Sequence, residues 1–315
     1  MMEQIESPFY NESMSEPLAY LNGHWLPQSR ASLPFHDAGF VMGATVSDLC
    51  RTFRHRLFRW PDHLARFRRG LQATGIQPEL SDEQISALAE KLVEHNAGLL
   101  NPNQDLALVI FATPGPIGYY AGQPGGIGDG AATFGMHTFP LPFERYRHFH
   151  DQGIHLVIPR MRHVFGFAVD PAIKQRSRMH WWLAQEQAQK TEPGSQALLI
   201  DLNDYVTETA TANFLIVQNR FVISPKRRCI LEGISLNVVR GLCAELGIGF
   251  QERDLLVDDC LAADEAFLTS TPYCLAPVSR LEGKPLPWPG PVFRRLLAAW
   301  SEKVQMDIRG QICGS

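Results

Sequence analysis

Short polar turns set between paired apolar runs dictate how this chain can fold. Asn22-Gly23 separates "LAYL" from "HWLP", Asn203-Asp204 separates "ALLI" from "YVTET", and Gln218-Asn219 separates "NFLIV" from "RFVIS". Asn and Gly enter left-handed backbone at little cost, so each site predicts a hairpin joining its two flanking runs. Between the hairpins the apolar period changes to that of helices. "PDHLARFRRGLQATG" places Leu64, Phe67 and Leu71 on one face, with Pro61 and Asp62 at the start and Gly75 at the end. "SDEQISALAEKLVEHNAG" opens on a capping box from Ser81 to Gln84. "GISLNVVRGLCAELG" turns Val239, Leu242, Cys243 and Leu246 inward and stops at Gly247, and a further helix is predicted from Lys174 to about Lys190. "DLALVIFAT", "IHLVIP" and "EAFLTST" read as buried strands. Hairpins and separate helices together give an α+β chain rather than a doubly wound α/β sheet.

A chain of 315 residues suits two domains or one large one. Prolines and charges replace the strand pattern in "FPLPFERYRHFHDQG", residues 139–153. The expectation is an N-terminal α/β domain over 1–140, a connector over 141–153, and a C-terminal α/β domain over 154–315 that carries Lys174. Residues 1–15 read as a loose arm, and Pro114 to Gly130 as a mobile loop.

Composition excludes several classes. Net charge is -4 and the pI about 6.3, without the basic stripe of a nucleic-acid binder. No run of eighteen apolar residues predicts a membrane helix. "MMEQIESPFYNESMSEP" is neither a signal nor a transit peptide, so a cytoplasmic protein is expected. Six cysteines (Cys50, Cys229, Cys243, Cys260, Cys274 and Cys313) are scattered without a C-x-x-C pair, which suits free buried thiols rather than disulfides or zinc. His148, His150 and His155 lack a matched further ligand, and no metal is expected. "GGIGDG" fails the dinucleotide spacing and follows no strand.

The chemistry gathers around "DPAIKQRSRMHWWLAQEQAQK", residues 170–190. Lys174 is followed by Arg176, Arg178 and His180. Like charges crowd there unless an anion binds or the lysine loses its proton, and a neutral amine can form a Schiff base with an aldehyde. Anion-holding features lie elsewhere: "EGIS" (Glu232 to Ser235) at a helix start, the hydroxyls of Ser270 and Thr271 at a strand end, and Arg66 one turn after His63. A ligand with both an aldehyde and a phosphate, such as pyridoxal phosphate, also needs an acid at its ring nitrogen, and Glu208 is a candidate. Spacing alone favours an ordinary helix-cap lysine and an edge-strand acid.

The co-ordered motifs go further. "NGHWL", "HDAGFVMG", "HLARF", "IKQRSR", "ALLID", "VTETATANF", "LEGIS", "ADEAFLTST" and "APVSRLEGKPL" resemble those of the class IV pyridoxal-phosphate aminotransferases over about residues 18 to 285. That family includes branched-chain and D-amino-acid aminotransferases and 4-amino-4-deoxychorismate lyase. The resemblance implies the two-domain D-amino-acid aminotransferase-like fold, pyridoxal 5'-phosphate as cofactor, a homodimer, and amino-group transfer between a small amino acid and a 2-oxo acid. The lyase and a non-catalytic cofactor-binding relative are the alternatives. It also implies residue roles. Lys174 holds the cofactor and moves the proton, Glu208 meets the pyridine nitrogen, and Asn213 lies behind the ring. Arg66, Ile234, Ser235 and Thr271 cradle the phosphate, with Ser270 beside them.

The chain departs from the family pattern at several positions. Leu236 stands where an arginine is usual, Met179 where branched-chain enzymes have tyrosine, and Pro114-Gly115 where other branches have Arg-Gly. Ser47-Asp48 replaces an aromatic-Glu pair, with Arg51 retained. The substrate carboxylate therefore needs another cation. Arg51, Arg176, Arg178 and His180 are the candidates. Trp181 and Trp182 cannot share one helix face, so at most one lines a pocket and core packing suits either.

Overall fold

The computed structural model describes residues 15–164 and 166–314, so residues 1–14 of the expected arm lie outside it. The elements are α+β. By contacts the chain splits into two compact units. One runs up to Leu141 and includes Lys174–Ser177; the other comprises Pro142–Ile173 and the chain from Arg178 onward.

The first unit is built on β1 (Leu18–Leu21), β2 (His24–Pro27), α1 (Ala38–Val41), β3 (Val46–Phe53), β4 (Arg56–Leu57), α2 (Trp60–Thr74), α3 (Asp82–Ala97), β5 (Leu106–Thr113) and β6 (Thr133–Pro140). Its six-stranded sheet has the order β2-β1-β6-β5-β3-β4 and is antiparallel throughout. Asn22 and Gly23 take φ of 47° and 89° in the first hairpin turn. The capping box at Ser81 and Gln84 starts α3, and left-handed Gly75 ends α2. Side chains alternate across the sheet. Val46, Cys50, Leu108, Ile110, Phe134 and Met136 share the buried face that α2 covers with Leu64, Phe67 and Leu71. Each such side chain contributes roughly 1.5–3 kcal/mol on burial. Gly70 lets α2 approach closely, since a Cβ there would meet Val46 at 2.8 Å.

A charged cluster is buried between that face and α2. Asp48 of β3 accepts from Arg66 Nε and Nη2, each at 2.8 Å, and from His63 Nδ1 at 2.7 Å. Burial works against the Asp48 carboxylate, but Arg66 and then His63 outweigh it and hold its pKa well below the usual range. Burial also lowers the pKa of His63, against the pull of Asp48. The imidazole is therefore a neutral donor, and Arg66 is the counter-charge.

The second unit contains α4 (Phe143–Gln152), β7 (Ile154–Val157), α5 (Met179–Thr191), β8 (Gln196–Ile200), β9 (Val206–Thr209), β10 (Asn213–Gln218), β11 (Phe221–Ser224), α6 (Ile234–Glu245), β12 (Gly249–Glu252), α7 (Val257–Leu261), β13 (Glu265–Ser270), β14 (Cys274–Leu281), β15 (Lys284–Pro285), α8 (Pro291–Lys303) and α9 (Ile308–Cys313). Nine strands form a mixed sheet in the order β12-β11-β10-β13-β14-β7-β8-β9, with β15 on β14. Because β9 also pairs with β10, at Glu208 and Asn213, the strands from β10 to β9 close on themselves as a ring. Helices α5 and α6 bridge the parallel pairs β7–β8 and β11–β12. Trp181, Ala184 and Ala188 of α5 bury against Val157, Ala197 and Leu199, which leaves the adjacent Trp182 63% exposed.

Four local expectations are corrected. The helix expected from Lys174 begins at Met179, because the backbone of Lys174–Arg176 is bonded to β3 instead. For the same reason Lys174 belongs to the first unit by contacts, although flanking sequence on both sides belongs to the second. The stretch expected to connect the domains contains helix α4, whose Phe149 and His150 are buried. The turn expected at Gln218-Asn219 lies one residue later, at Asn219 and Arg220 with φ of 53° and 67°.

Replacing Asp48 with asparagine leaves Arg66 without its buried counter-charge and should cost about 3–5 kcal/mol, read by urea unfolding at pH 7. The native pKa of Asp48 is depressed, so its contribution is fully present above the unfolded value of about 3.9 and is lost as pH falls below that. The wild-type advantage over Asp48→Asn should therefore hold from pH 7 to about pH 4 and shrink below it. An unchanged unfolding midpoint in the variant would contradict this account.

Candidate functional site

Lys174 is presented by a short extended segment that bridges the start of β3. The Ser47 N–H donates to the Lys174 carbonyl at 2.9 Å, the Arg176 N–H donates to the Thr45 carbonyl at 3.0 Å, and Gln175 bridges Val46 antiparallel. Alternation puts Gln175 on the helix-covered face with Val46, and puts Lys174 and Arg176 on the opposite face with Ser47. Arg176 Nε donates to Ser47 Oγ at 3.0 Å. By register the same face carries Val109 and Phe111 of β5 and Gly135 and His137 of β6. Gly135 makes room for the Phe111 ring, which a Cβ would meet at 2.5 Å. Burial, helped by the Arg176 charge, lowers the His137 pKa, so that imidazole is neutral. The last glycine of "HDAGFVMG" is also explained here. Gly43 has φ of +67°, and a Cβ would lie 2.5 Å from Ser177 Oγ, which donates to the Gly43 carbonyl.

The other substrate-cation candidates are differently engaged. Arg51 is 1% exposed, lies 3.8 Å over the Phe53 ring, donates from Nε to the Thr52 carbonyl, and reaches Asp105 at 3.8 Å. Arg178, in the second unit, donates through Nη2 to the Ala210 carbonyl and lies over Trp181. Burial, with His163 and Arg178 adding, pushes the His180 pKa down to about 4, so it carries no charge near neutrality. Arg66 is held bidentate by Asp48 as described above.

The second unit organises its own polar centre where the ring closes. Glu208 is 8% exposed. Its carboxylate accepts from Asn213 Nδ2 at 2.9 Å and from the Leu231 N–H at 3.0 Å, while His163 Nε2 stands 3.8 Å away. Asn213 also donates to the Leu231 carbonyl at 2.9 Å. Burial disfavours a charged His163, but Glu208 and the Val164 carbonyl prevail and raise its pKa. Among the described residues no lysine or arginine pairs with Glu208.

Two residues after Leu231 comes Gly233, the N-cap of α6. A Cβ there would collide with Asn213 Oδ1, so only glycine fits. No side chain caps α6, and Ile234 and Ser235 occupy its buried first turn, where helix N–H groups lack intrahelical acceptors and attract anions. Ser270 Oγ donates to the Thr211 carbonyl at 2.6 Å at the end of β13, and Thr271 follows it.

The geometry therefore groups Glu208 and Asn213 in direct contact, sets Gly233, Ile234 and Ser235 close by in sequence and structure, and sets Lys174 beside Arg176. Sequence reasoning missed the roles of Asp48 toward Arg66 and of His163 toward Glu208. The i, i+3 spacing of His63 and Arg66 was the available signal for the first, since it gives one helical face to a single carboxylate. Nothing in "MRHVFGF" distinguishes His163. His155 bonds Glu192 at 2.7 Å, and among the described residues no cluster of His, Cys, Asp and Glu fits a metal ion.

Comparison with known proteins bears on these features. Residues 45–281 match the family described as amino-transferase class IV. The D-alanine aminotransferase of Staphylococcus aureus (strain N315) is 25% identical over 289 residues, covering 91% of this chain and 97% of that protein. That of Bacillus licheniformis is 25% identical over 287 residues, covering 90% and 95%. In fold, the chain is similar to a T.th. branched-chain amino acid aminotransferase with pyridoxamine 5'-phosphate, with TM-score 0.81, 22% identity, and coverage of 92% of this chain and 94% of that one. It is also similar to the branched-chain amino acid aminotransferase from Escherichia coli, with TM-score 0.78, 20% identity, and coverage of 90% and 93%. The family match takes in most of the chain, including Lys174 and Glu208, and the chain belongs to the class IV aminotransferases.

Proposed function

We propose that this chain is a pyridoxal 5'-phosphate aminotransferase that moves an amino group between a small amino acid, of the D-alanine type, and a 2-oxo acid. The observation that carries the reading is Glu208. A buried carboxylate with two neutral N–H donors and no lysine or arginine partner among the described residues retains acceptor capacity for a protonated ring nitrogen. The uncapped first turn of α6 fits a phosphate in the same unit. On both counts the residues present fit the cofactor.

Lys174 would hold the cofactor, with Asn213 and Glu208 at its ring, and Ile234, Ser235, Ser270 and Thr271 at its phosphate. Arg66 acts on that phosphate only with the charge that Asp48 leaves it. Bound pyridoxal phosphate supplies an aldehyde that condenses with amines and a ring that draws electrons from the substrate α-carbon. Lys174 Nζ would take the proton from that carbon and deliver it to the former aldehyde carbon. Glu208 keeps the ring nitrogen protonated. Asn213 holds Glu208 in orientation, and His163, with its raised pKa, supports the ionised carboxylate. Two half-reactions in one site give ping-pong kinetics.

A homodimer is part of the proposal. Phe35, Phe40 and Met42 are 86%, 70% and 55% exposed, and the Phe35 and Phe40 rings lie 6.2 Å apart. Such a patch beside the Lys174 strand suits cover by a second copy. Among the described residues no helix is long and apolar enough to cross a membrane.

Lys174→Ala should leave the fold intact and abolish turnover of alanine with 2-oxoglutarate. Borohydride should fix the cofactor on residue 174 of the wild type, read by peptide mass; label elsewhere would sink the assignment. Glu208→Gln should lower kcat by two or more orders of magnitude with modest loss of bound cofactor, and an unaltered kcat would count against the ring-nitrogen contact. Sedimentation should give a dimer that Phe40→Asp weakens; a monomeric wild type would end the dimer proposal.

A further inference from the structure

The geometry points to Arg176, held by Ser47, as the residue that binds the α-carboxylate of the substrate. This deepens the proposed function and rests on it, because it takes Lys174 as the amine that works on the α-carbon. The two side chains leave one face of the same extended segment, two residues apart, with Cα atoms roughly 6.5 Å from each other. A carboxylate bonded to the α-carbon must lie beside the group that handles that carbon's proton, so the neighbouring cation on that face is placed to take it.

Four observations single out Arg176. Its residue surface is exposed, whereas Arg51 is buried over Phe53 and near Asp105. Its Nε is fixed by Ser47 Oγ, while among the described residues no carboxylate lies within ion-pair distance of it. The terminal guanidinium N–H groups can donate side by side to a carboxylate, and an Nε anchor leaves them available. Finally, the other polar groups compete weakly. His137 on this face and His180 are both neutral near pH 7.

Ser47 is then a positioning residue. It is 2% exposed and short, so the guanidinium can lie against the strand; an aromatic side chain at 47 would take that space. The site recognises a carboxylate, which an amino-acid substrate offers at its α-carbon and, in acidic substrates, at its side chain as well. The assignment is to the former.

The test uses holoenzyme and three variants: Arg176→Gln, Arg176→Lys and Ser47→Ala. Butyrate, an unreactive acid, is titrated by calorimetry, and kcat and KM are measured with alanine and glutamate in the enantiomer that the enzyme accepts. Arg176→Gln should weaken butyrate about tenfold or more and raise KM for both amino acids to a similar extent, with borohydride labelling at residue 174 unchanged. Arg176→Lys should recover part of the loss, and Ser47→Ala should show a smaller rise in KM with kcat little altered. Butyrate affinity and KM unchanged in Arg176→Gln would overturn the proposal. A loss confined to glutamate would overturn it too, by moving Arg176 to the side-chain carboxylate. Failure of wild-type enzyme to label at residue 174 would instead sink the transaminase reading, while the butyrate result stands by itself.

Discussion

The two-residue period of one strand governs the polar architecture of the first unit. Asp48 faces the helices and Ser47 faces away, because neighbours in extended backbone must point to opposite sides. The inward residue holds Arg66 and His63 in a dry cluster. The outward one holds Arg176. A one-residue slip in the register of β3 would turn the serine toward the helices and the carboxylate away from Arg66, so its pairing with β5 and with Lys174–Arg176 fixes both arrangements together.

Two of the buried carboxylates, Asp48 and Glu208, are treated differently. Asp48 meets a permanent cation and is closed off by it. Glu208 meets an amide, a backbone N–H and an imidazole whose charge depends on it. The first pattern suits a fixed strut, since removing either partner leaves a buried charge uncompensated. The second suits a group that can still engage something more. Gly233 belongs to the same design: it brings the start of α6 against Asn213, so the acid and the bare helix end are set by one side chain.

Much of this was legible from residue order. Hairpin turns, caps and helix stops marked most elements within a residue or two, since Asn22-Gly23, the Ser81–Gln84 box and Gly75 act locally. Co-ordered motifs marked the family and drew attention to Lys174, Glu208, Asn213 and Ser235. What escaped was non-local. The segment after Lys174 has good helix formers, yet its backbone groups bond β3 more than a hundred residues earlier, and no window of sequence records that competition. The same holds for α4, where Phe149 and His150 are buried within the second unit. The destinations of Arg51 and Arg66 also depended on Asp105 and Asp48, acids whose positions only the folded sheet defines.

The bridging segment at Lys174–Ser177 has a consequence for any attempt to divide the protein. A fragment ending at Leu141 would keep every helix and strand of the first sheet, yet it would leave the N–H of Ser47 and the carbonyl of Thr45 unpaired along β3. Such an edge is a template for pairing with other chains, and covering it is a service the later sequence performs. Genetic dissection at the apparent boundary would thus produce a sticky half-protein, because the two units are interleaved along the chain.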